Sequence, residues 1–234
     1  MIKNKPFTSA VILAAGSGKR MKSDITKQRI VICGQSVLQR AIQAFERCDL
    51  IDEIIVVCKE DEREFVLSEI SGTQKFRAVV AGGNCRCESA KLGFQALETK
   101  EGSFVLIHDA ARCLITSEDI SKVAEAAYIH GCATASLGIT DTVKEVNGED
   151  KIFRTVPRDY LKTVQTPQAF SCELYQKALA FVGDKFDKIT DDNMLLENIG
   201  IEVFAVETSK NNIKITTAED VVYAEFLIKK REKK

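Results

Sequence analysis

AVILAAGSGKRMKSDITKQ, residues 10–28, begins with six apolar side chains that run straight into Gly16-Ser17-Gly18. Lys19, Arg20 and Lys27 follow. A short apolar run closed by glycine reads as a buried strand. A loop of exposed backbone N–H groups at its end, backed by long cationic side chains, is a cradle for a polyphosphate. Two common nucleotide loops are excluded. A Walker A loop needs Gly-x4-Gly-Lys-Ser/Thr, but Arg20 follows Gly18-Lys19 and Leu13 occupies the first glycine position. The dinucleotide fingerprint needs a third glycine where Met21 stands.

Outward from this loop, strand-like and helix-like segments alternate. The sequence predicts strands at 10–13, 53–58, 77–80, 104–107, 132–139 and 201–206, and helices at 36–48, 89–97, 117–129 and 217–230. In the first helix Val37, Leu38, Ala41, Ile42, Phe45 and Cys48 form one stripe, with Ser36 as cap. This alternation implies an α/β fold with a mainly parallel sheet covered by helices on both faces. In such sheets ligands bind beyond the carboxyl ends of the strands, where strand order reverses. Residues 140–168, TDTVKEVNGEDKIFRTVPRDYLKTVQTPQ, break the rhythm. Asn147-Gly148 between two short strand patterns (143–146 and 152–156) signals a hairpin. It reads either as a surface excursion or as a dimer arm that carries residues into a neighbouring site.

The 234 residues suit one large domain, and 45% hydrophobic content supplies a core. A net charge of −1 creates no field for nucleic acid or an anionic membrane, so any phosphate must be caught by a local cluster of cations. With no long apolar run and no cleavage-site pattern at the N-terminus, the expected location is the cytoplasm. Eight cysteines contain no C-x-x-C pair, which disfavours disulfides or metal ligands, and five of them lie in apolar surroundings as small core hydrophobes.

Three more stretches carry chemistry. In 107–112, IHDAAR, a strand ends and at once presents Asp109 and Arg112. Asp109 suits a hydroxyl or a divalent cation. Arg112 suits a phosphate, or pairs locally with Asp109. In 82–89, GGNCRCES, two glycines permit close backbone approach to a ligand, and Ser89 either caps the next helix or meets a base or sugar. In 211–216, NNIKIT, Lys214 stands in a short apolar strand. It is either an ordinary edge lysine or a partner of Arg20 and Lys27 over one phosphate chain. His108 and His130 are the only histidines, and neither is assigned as a general base.

These pieces, in this order, resemble the 2-C-methyl-D-erythritol 4-phosphate cytidylyltransferases of the sugar-nucleotidyltransferase class. The match runs from LAAGSGKRM and Lys27-Gln28 through GG-x-x-R-x-x-S (82–89), HDAAR (108–112), Asp141-Thr142, TV-x-R (155–158), TPQ-x-F (166–170) and TDD (190–192) to NIKIT (212–216). The resemblance implies a single Rossmann-like domain spanning 1–234, with a β-arm near 140–165 that interlocks two subunits. It implies transfer of CMP from CTP to methylerythritol phosphate with a divalent cation, usually magnesium. Arg20, Lys27 and Lys214 match the catalytic cations. Ala14, Ala15, Gly16, Gly18, Gly82 and Ser89 fall on cytidine-nucleotide positions. Asp109, Arg112, Thr142, Arg158, Thr166 and Thr190 fall on acceptor positions, with Asp109 also the expected metal ligand. Thr26, Arg29 and Cys113 depart from the family's usual proline, aromatic and proline. The alternatives are a cytidylyltransferase for another polyol phosphate, such as ribitol 5-phosphate, and a protein that binds CTP without turnover. Because the attacking acceptor phosphate is already anionic, the reaction needs cations rather than a general base.

Overall fold

The apolar run at the head of the chain forms β1 (Thr8–Leu13), and every residue of it is buried. The structure is a computed structural model that describes residues 5–16, 26–186 and 188–232. A 3-10 turn at Lys27–Arg29 leads to the short strands β2 (Val31–Ile32) and β3 (Gln35–Ser36), then α1 (Val37–Glu46) and β4 (Glu53–Cys58). There follow α2 (Arg63–Glu69), β5 (Phe76–Ala81), α3 (Arg86–Gln95), β6 (Phe104–Asp109), α4 (Ser117–His130) and β7 (Cys132–Gly138). The second half holds the pair β8 (Val143–Val146) and β9 (Ile152–Val156), then β10 (Lys162–Ser171), α5 (Cys172–Val182), α6 (Asn193–Glu197), β11 (Phe204–Glu207) and α7 (Ala218–Glu232).

Seven strands form the main sheet in the order β11-β7-β10-β6-β1-β4-β5. Only β10 runs antiparallel, between β6 and β7. From β1 the chain proceeds outward through β4 to β5, then returns to place β6 on the other side of β1. The strand order therefore reverses between β1 and β6, and a crevice opens beyond their carboxyl ends.

Period-2 alternation distributes β1 between two cores. Ala10 and Ile12 join Leu38, Ile42 and Phe45 of α1 and Ile120 and Val123 of α4 on one face. Val11 and Leu13 join Ala90 and Phe94 of α3 and Tyr175 of α5 on the other. A third cluster fastens α7 to the β2–β3 turn and to Cys113, Leu114 and Ile215. Ser36 caps α1 by accepting from Gln39 N–H at 3.0 Å, and α4 stops at Gly131, whose φ of 81° suits glycine. Among the described residues no helix is long and apolar enough to cross a membrane.

Several expectations are corrected. Residues 162–168, read as the end of the irregular excursion, belong to the long strand β10 of the main sheet. Its register shifts between Val164 and Gln168, which accommodates Pro167 in a central position. The hairpin is present as β8–β9, but Gly148 does not shape its turn. Asp150 is the residue at positive φ (59°), and Asn147 Oδ1 accepts from the N–H groups of Glu149 and Lys151. Residues 212–216 form no strand. That segment crosses the end of the sheet, tied by Ile215 N–H to Ala111 O at 2.8 Å. Helix α3 begins earlier than expected and Cys85 caps it, so Ser89 lies inside the helix and is not its cap.

Gly93 is where α3 touches the sheet most closely. A Cβ there would press on Val11 Cγ1 and would lie 2.7 Å from Val57 Cγ2. Both are β-branched side chains of buried strands and have little room to yield. Replacing Gly93 by Ala improves helix propensity by about 1 kcal/mol. Overpacking should still dominate, giving a net loss of roughly 1–3 kcal/mol on urea denaturation. A variant as stable as the parent would contradict this packing.

Candidate active site

The crevice between β1 and β6 opens into a cleft of about 490 Å³. Its walls come from Leu13 at the end of β1, Ala15 and Gly16 after it, Lys27 and Gln28 of the 3-10 turn, and Lys59 after β4. Gly82 to Arg86 and Ser89 form the side toward α3, while Asp109, Ala111 and Lys214 complete the cleft. Four cations and one carboxylate thus face the same space. Such a surplus of positive charge in a partly dehydrated crevice suits a polyanion.

Each wall is held by the fold. Gly82 N–H donates to Cys58 O at 2.8 Å. A Cβ on Gly82 would lie 2.5 Å from Ala15 Cβ and 3.1 Å from Ser89 Oγ, so the two glycine loops can meet only if this residue has no side chain. Ser89 Oγ accepts from Gly83 N–H at 3.1 Å and donates to Cys85 O at 2.9 Å, fixing the turn onto α3. Gln28 Nε2 donates to Ala14 O, drawing the Lys27 turn against β1. The departures Thr26 and Arg29 both reach Glu62: Thr26 Oγ1 donates at 3.3 Å and Arg29 Nε at 2.8 Å. Arg29 also lies 4.4 Å over the Phe65 ring. The turn that carries Lys27 is therefore tied down by contacts belonging to this chain. Cys113, the third departure, is buried in the α7 cluster.

Asp109 is the electrostatic centre. Arg86 Nε donates to its Oδ1 at 3.0 Å and Lys214 Nζ to its Oδ2 at 2.7 Å. Burial opposes ionisation, yet Arg86 and Lys214 together outweigh it and hold the carboxyl well below the usual range. The alternative of a local pair with Arg112 is not realised. Arg112 Nη1 instead donates to Asn212 O at 2.9 Å and so secures the segment that carries Lys214.

Beneath Asp109 a chain of hydrogen bonds fixes the strand end. Asp109 N–H donates to Thr166 Oγ1 at 3.0 Å. Thr166 Oγ1 lies 3.1 Å from His108 Nδ1, and His108 Nε2 lies 3.3 Å from Arg112 O. A carbonyl can only accept, so Nε2 carries the proton and Nδ1 accepts from the threonine hydroxyl. This network requires a neutral imidazole, and burial pushes the His108 pKa down to about 3. The buried thiols of Cys58, Cys87 and Cys113 are likewise pushed up, to about 11, 12 and 11, and stay protonated.

The structure brings Ala15, Gly16, Lys27, Gly82, Ser89, Asp109 and Lys214 to one cleft. Gly18 and Arg20 lie outside the described residues. Ala14, Thr166 and Arg112 lie behind the walls rather than on them: Ala14 and Thr166 are buried, and Arg112 backs the 212–216 segment. Thr142, Arg158 and Thr190 are exposed and do not line it; Arg158 Nη1 donates to Thr140 O near the hairpin base. Sequence reasoning gave Lys59 and Arg86 no role, although one directly follows a strand and the other sits within GG-x-x-R.

A mainly parallel sheet with two glycine loops and converging lysines at its switch point is the layout of an α/β nucleotidyltransferase. The family described as IspD, 2-C-methyl-D-erythritol 4-phosphate cytidylyltransferase, matches over residues 8–230. The chain is 40% identical over 233 residues to the 2-C-methyl-D-erythritol 4-phosphate cytidylyltransferase of Alkaliphilus oremlandii, covering 98% of each. It is 38% identical over 233 residues to that of Syntrophus aciditrophicus, covering 97% of this chain and 98% of the relative. Its structure aligns with the crystal structure of 4-diphosphocytidyl-2C-methyl-D-erythritol synthase from Anaerococcus prevotii at a TM-score of 0.84 and 32% identity, with 96% of each chain covered. The chain belongs to the 2-C-methyl-D-erythritol 4-phosphate cytidylyltransferase family.

His108 makes stability depend on pH with a definite sign. Its folded pKa is depressed to about 3 while the unfolded imidazole keeps about 6.5. Below pH 6.5 the unfolded chain takes up a proton that the folded chain refuses, so stability falls as the pH falls. Between pH 6.5 and 5, above most carboxylate titration, the slope should approach about 1.4 kcal/mol per pH unit. His108→Asn should remove that part of the slope, whatever its absolute stability. Parallel stability curves for the two proteins would refute the assignment.

Proposed function

We propose that the protein transfers CMP from CTP to 2-C-methyl-D-erythritol 4-phosphate and releases pyrophosphate, a step of the non-mevalonate route to isoprenoids. The observation that carries this reading is the meeting of Lys27 and Lys214, from opposite ends of the chain, on one cleft beside the Gly16 and Gly82 loops. An acceptor phosphate oxygen attacks the α-phosphorus of CTP in line. One P–O bond forms, the bond to the bridging oxygen breaks, and pyrophosphate leaves. The nucleophile arrives ionised, so no proton has to be removed. Neither histidine lines the cleft, consistent with that chemistry: His108 is buried beneath it, and His130 stacks on Phe204 at 4.0 Å. The barrier is repulsion between two anions and charge growing on the phosphates, which fixed cations answer.

We assign Arg20, Lys27 and Lys214 to the phosphates and the loops at Ala14, Ala15, Gly16, Gly18, Gly82 and Ser89 to the cytidine nucleotide. Asp109, Arg112, Thr142, Arg158, Thr166 and Thr190 are assigned to the acceptor side, with Arg112 and Thr166 acting through the elements they brace. Asp109 is the only carboxylate on the cleft among the described residues and would be the residue to hold magnesium, through lone pairs left on the two oxygens that accept from Arg86 and Lys214. When bound, magnesium adds positive charge at the triphosphate. The exposed hairpin, with Val146, Ile152 and Phe153 largely open to solvent, supports a homodimer in which Arg158 serves the partner's cleft.

The reaction is tested by incubating the protein with CTP, magnesium and either methylerythritol phosphate or ribitol 5-phosphate while following pyrophosphate. Release with the first is expected; release only with the second would move the acceptor assignment. Lys214→Ala should lower kcat by roughly 10²–10³, the scale of losing one preorganised charge donor. Arg158→Ala should raise the acceptor KM while leaving CTP affinity unchanged. A loss of CTP affinity with the acceptor KM intact would remove Arg158 from its assigned role.

A further inference from the structure

Arg86 borders the cleft, but its guanidinium is already committed on two sides. Nε donates to Asp109 Oδ1 at 3.0 Å, and Nη1 donates to Asp192 Oδ2 at 2.6 Å. Asp192 is fully buried. Its other oxygen accepts from the Tyr175 hydroxyl at 2.7 Å, and its backbone N–H donates to Gln168 Oε1 at 3.0 Å. Tyr175 is itself fully buried, stacked on Phe170 at 5.1 Å and edge-on to Phe94 at 4.9 Å. Asp192 is thus an immobile carboxylate built into the core beneath α3, β10 and α6. A buried charge of this kind persists only if a partner stays in place.

We propose that Arg86 is a positioning residue: clamped from behind by Asp192, it holds one oxygen of Asp109 so that the other oxygen sets the place of the Lys214 ammonium before the phosphates arrive. Arginine is needed because its planar fork can serve two carboxylates in different directions, which a lysine ammonium at the end of a flexible stem does not reproduce. Without the Asp192 charge the guanidinium is free to turn toward the phosphates. It would then favour bound CTP in the ground state while leaving Asp109 and Lys214 less well placed for transfer. The inference rests on the CMP-transfer reading above.

The test uses the full chain and the variants Asp192→Asn, Arg86→Lys and Tyr175→Phe. It combines steady-state pyrophosphate release with CTP affinity from calorimetry. Asp192→Asn and Arg86→Lys should lower kcat by about tenfold or more, a misplacement effect, while the Kd for CTP stays within about twofold of the parent or tightens. Tyr175→Phe removes one hydroxyl and keeps the ring packing. It should lower kcat in the same direction by a smaller factor, about two- to fivefold. If Asp192→Asn does not fold, Tyr175→Phe carries the test by the same criteria. A large loss of CTP affinity at unchanged kcat would make Arg86 a direct phosphate ligand and overturn the proposal. Unchanged kcat in folded variants would overturn it as well, with the parent's turnover leaving the reaction itself intact. A parent that releases no pyrophosphate would overturn the reaction and this inference together.

Discussion

Asp109 carries an ionised carboxylate at the buried end of β6, and that requirement organises the residues around it. A carboxylate removed from water needs compensation. Here the two charges come from places far apart in the chain, Arg86 at the start of α3 and Lys214 in the crossing segment before α7. Each holds its own part of the fold against the end of β6. The same pair of contacts therefore serves the packing of three segments and the placement of the cleft's charge. Removing one partner of such an arrangement costs far more than the arrangement gains over an apolar replacement. That asymmetry is consistent with a feature kept for geometry rather than for stability.

Backbone economy on the opposite wall completes the cleft. Gly82 and Gly93 both work by lacking a side chain, at the loop contact with Ala15 and at the helix contact with Val11 and Val57. The first lets two glycine loops close on one ligand-sized space. The second sets the height of α3 over the sheet, and so of Arg86 at its first turn. Packing in the core and charge in the cleft are thus linked through one helix.

Much of this was legible in the sequence because it is local. The run 53–58 is entirely apolar apart from Glu53 and became β4 with the expected bounds. The Ser36 cap and the stripe of α1 followed from period and hydroxyl chemistry. What escaped depends on contacts between distant residues. β10 contains Pro167, which argues against an interior strand until a register shift makes room for it. The segment around Lys214 alternates like a strand yet forms no ladder, because its partners are Ala111 and Arg112 at a loop rather than a neighbouring strand. Spacing left Arg112 open to a phosphate or to a pair with Asp109, whereas Arg86 is the guanidinium that reaches the carboxylate.

The preformed Asp109–Lys214 pair also bears on how a phosphate would be received. An ammonium already paired at 2.7 Å, with its side chain part-buried, has lost part of its hydration before any ligand comes. The chain Lys214–Asp109–Arg86–Asp192 is neutral in sum, so the positive surplus on the cleft comes from its other lysines, Lys27 and Lys59. An arriving phosphate oxygen therefore meets a cation whose direction is set and whose reorganisation is largely complete, which is the condition under which fixed charge lowers a transfer barrier most. The cations of this cleft differ in that respect. Arg86 faces two carboxylates and is held. Lys214 faces one, and its remaining N–H groups can turn to substrate.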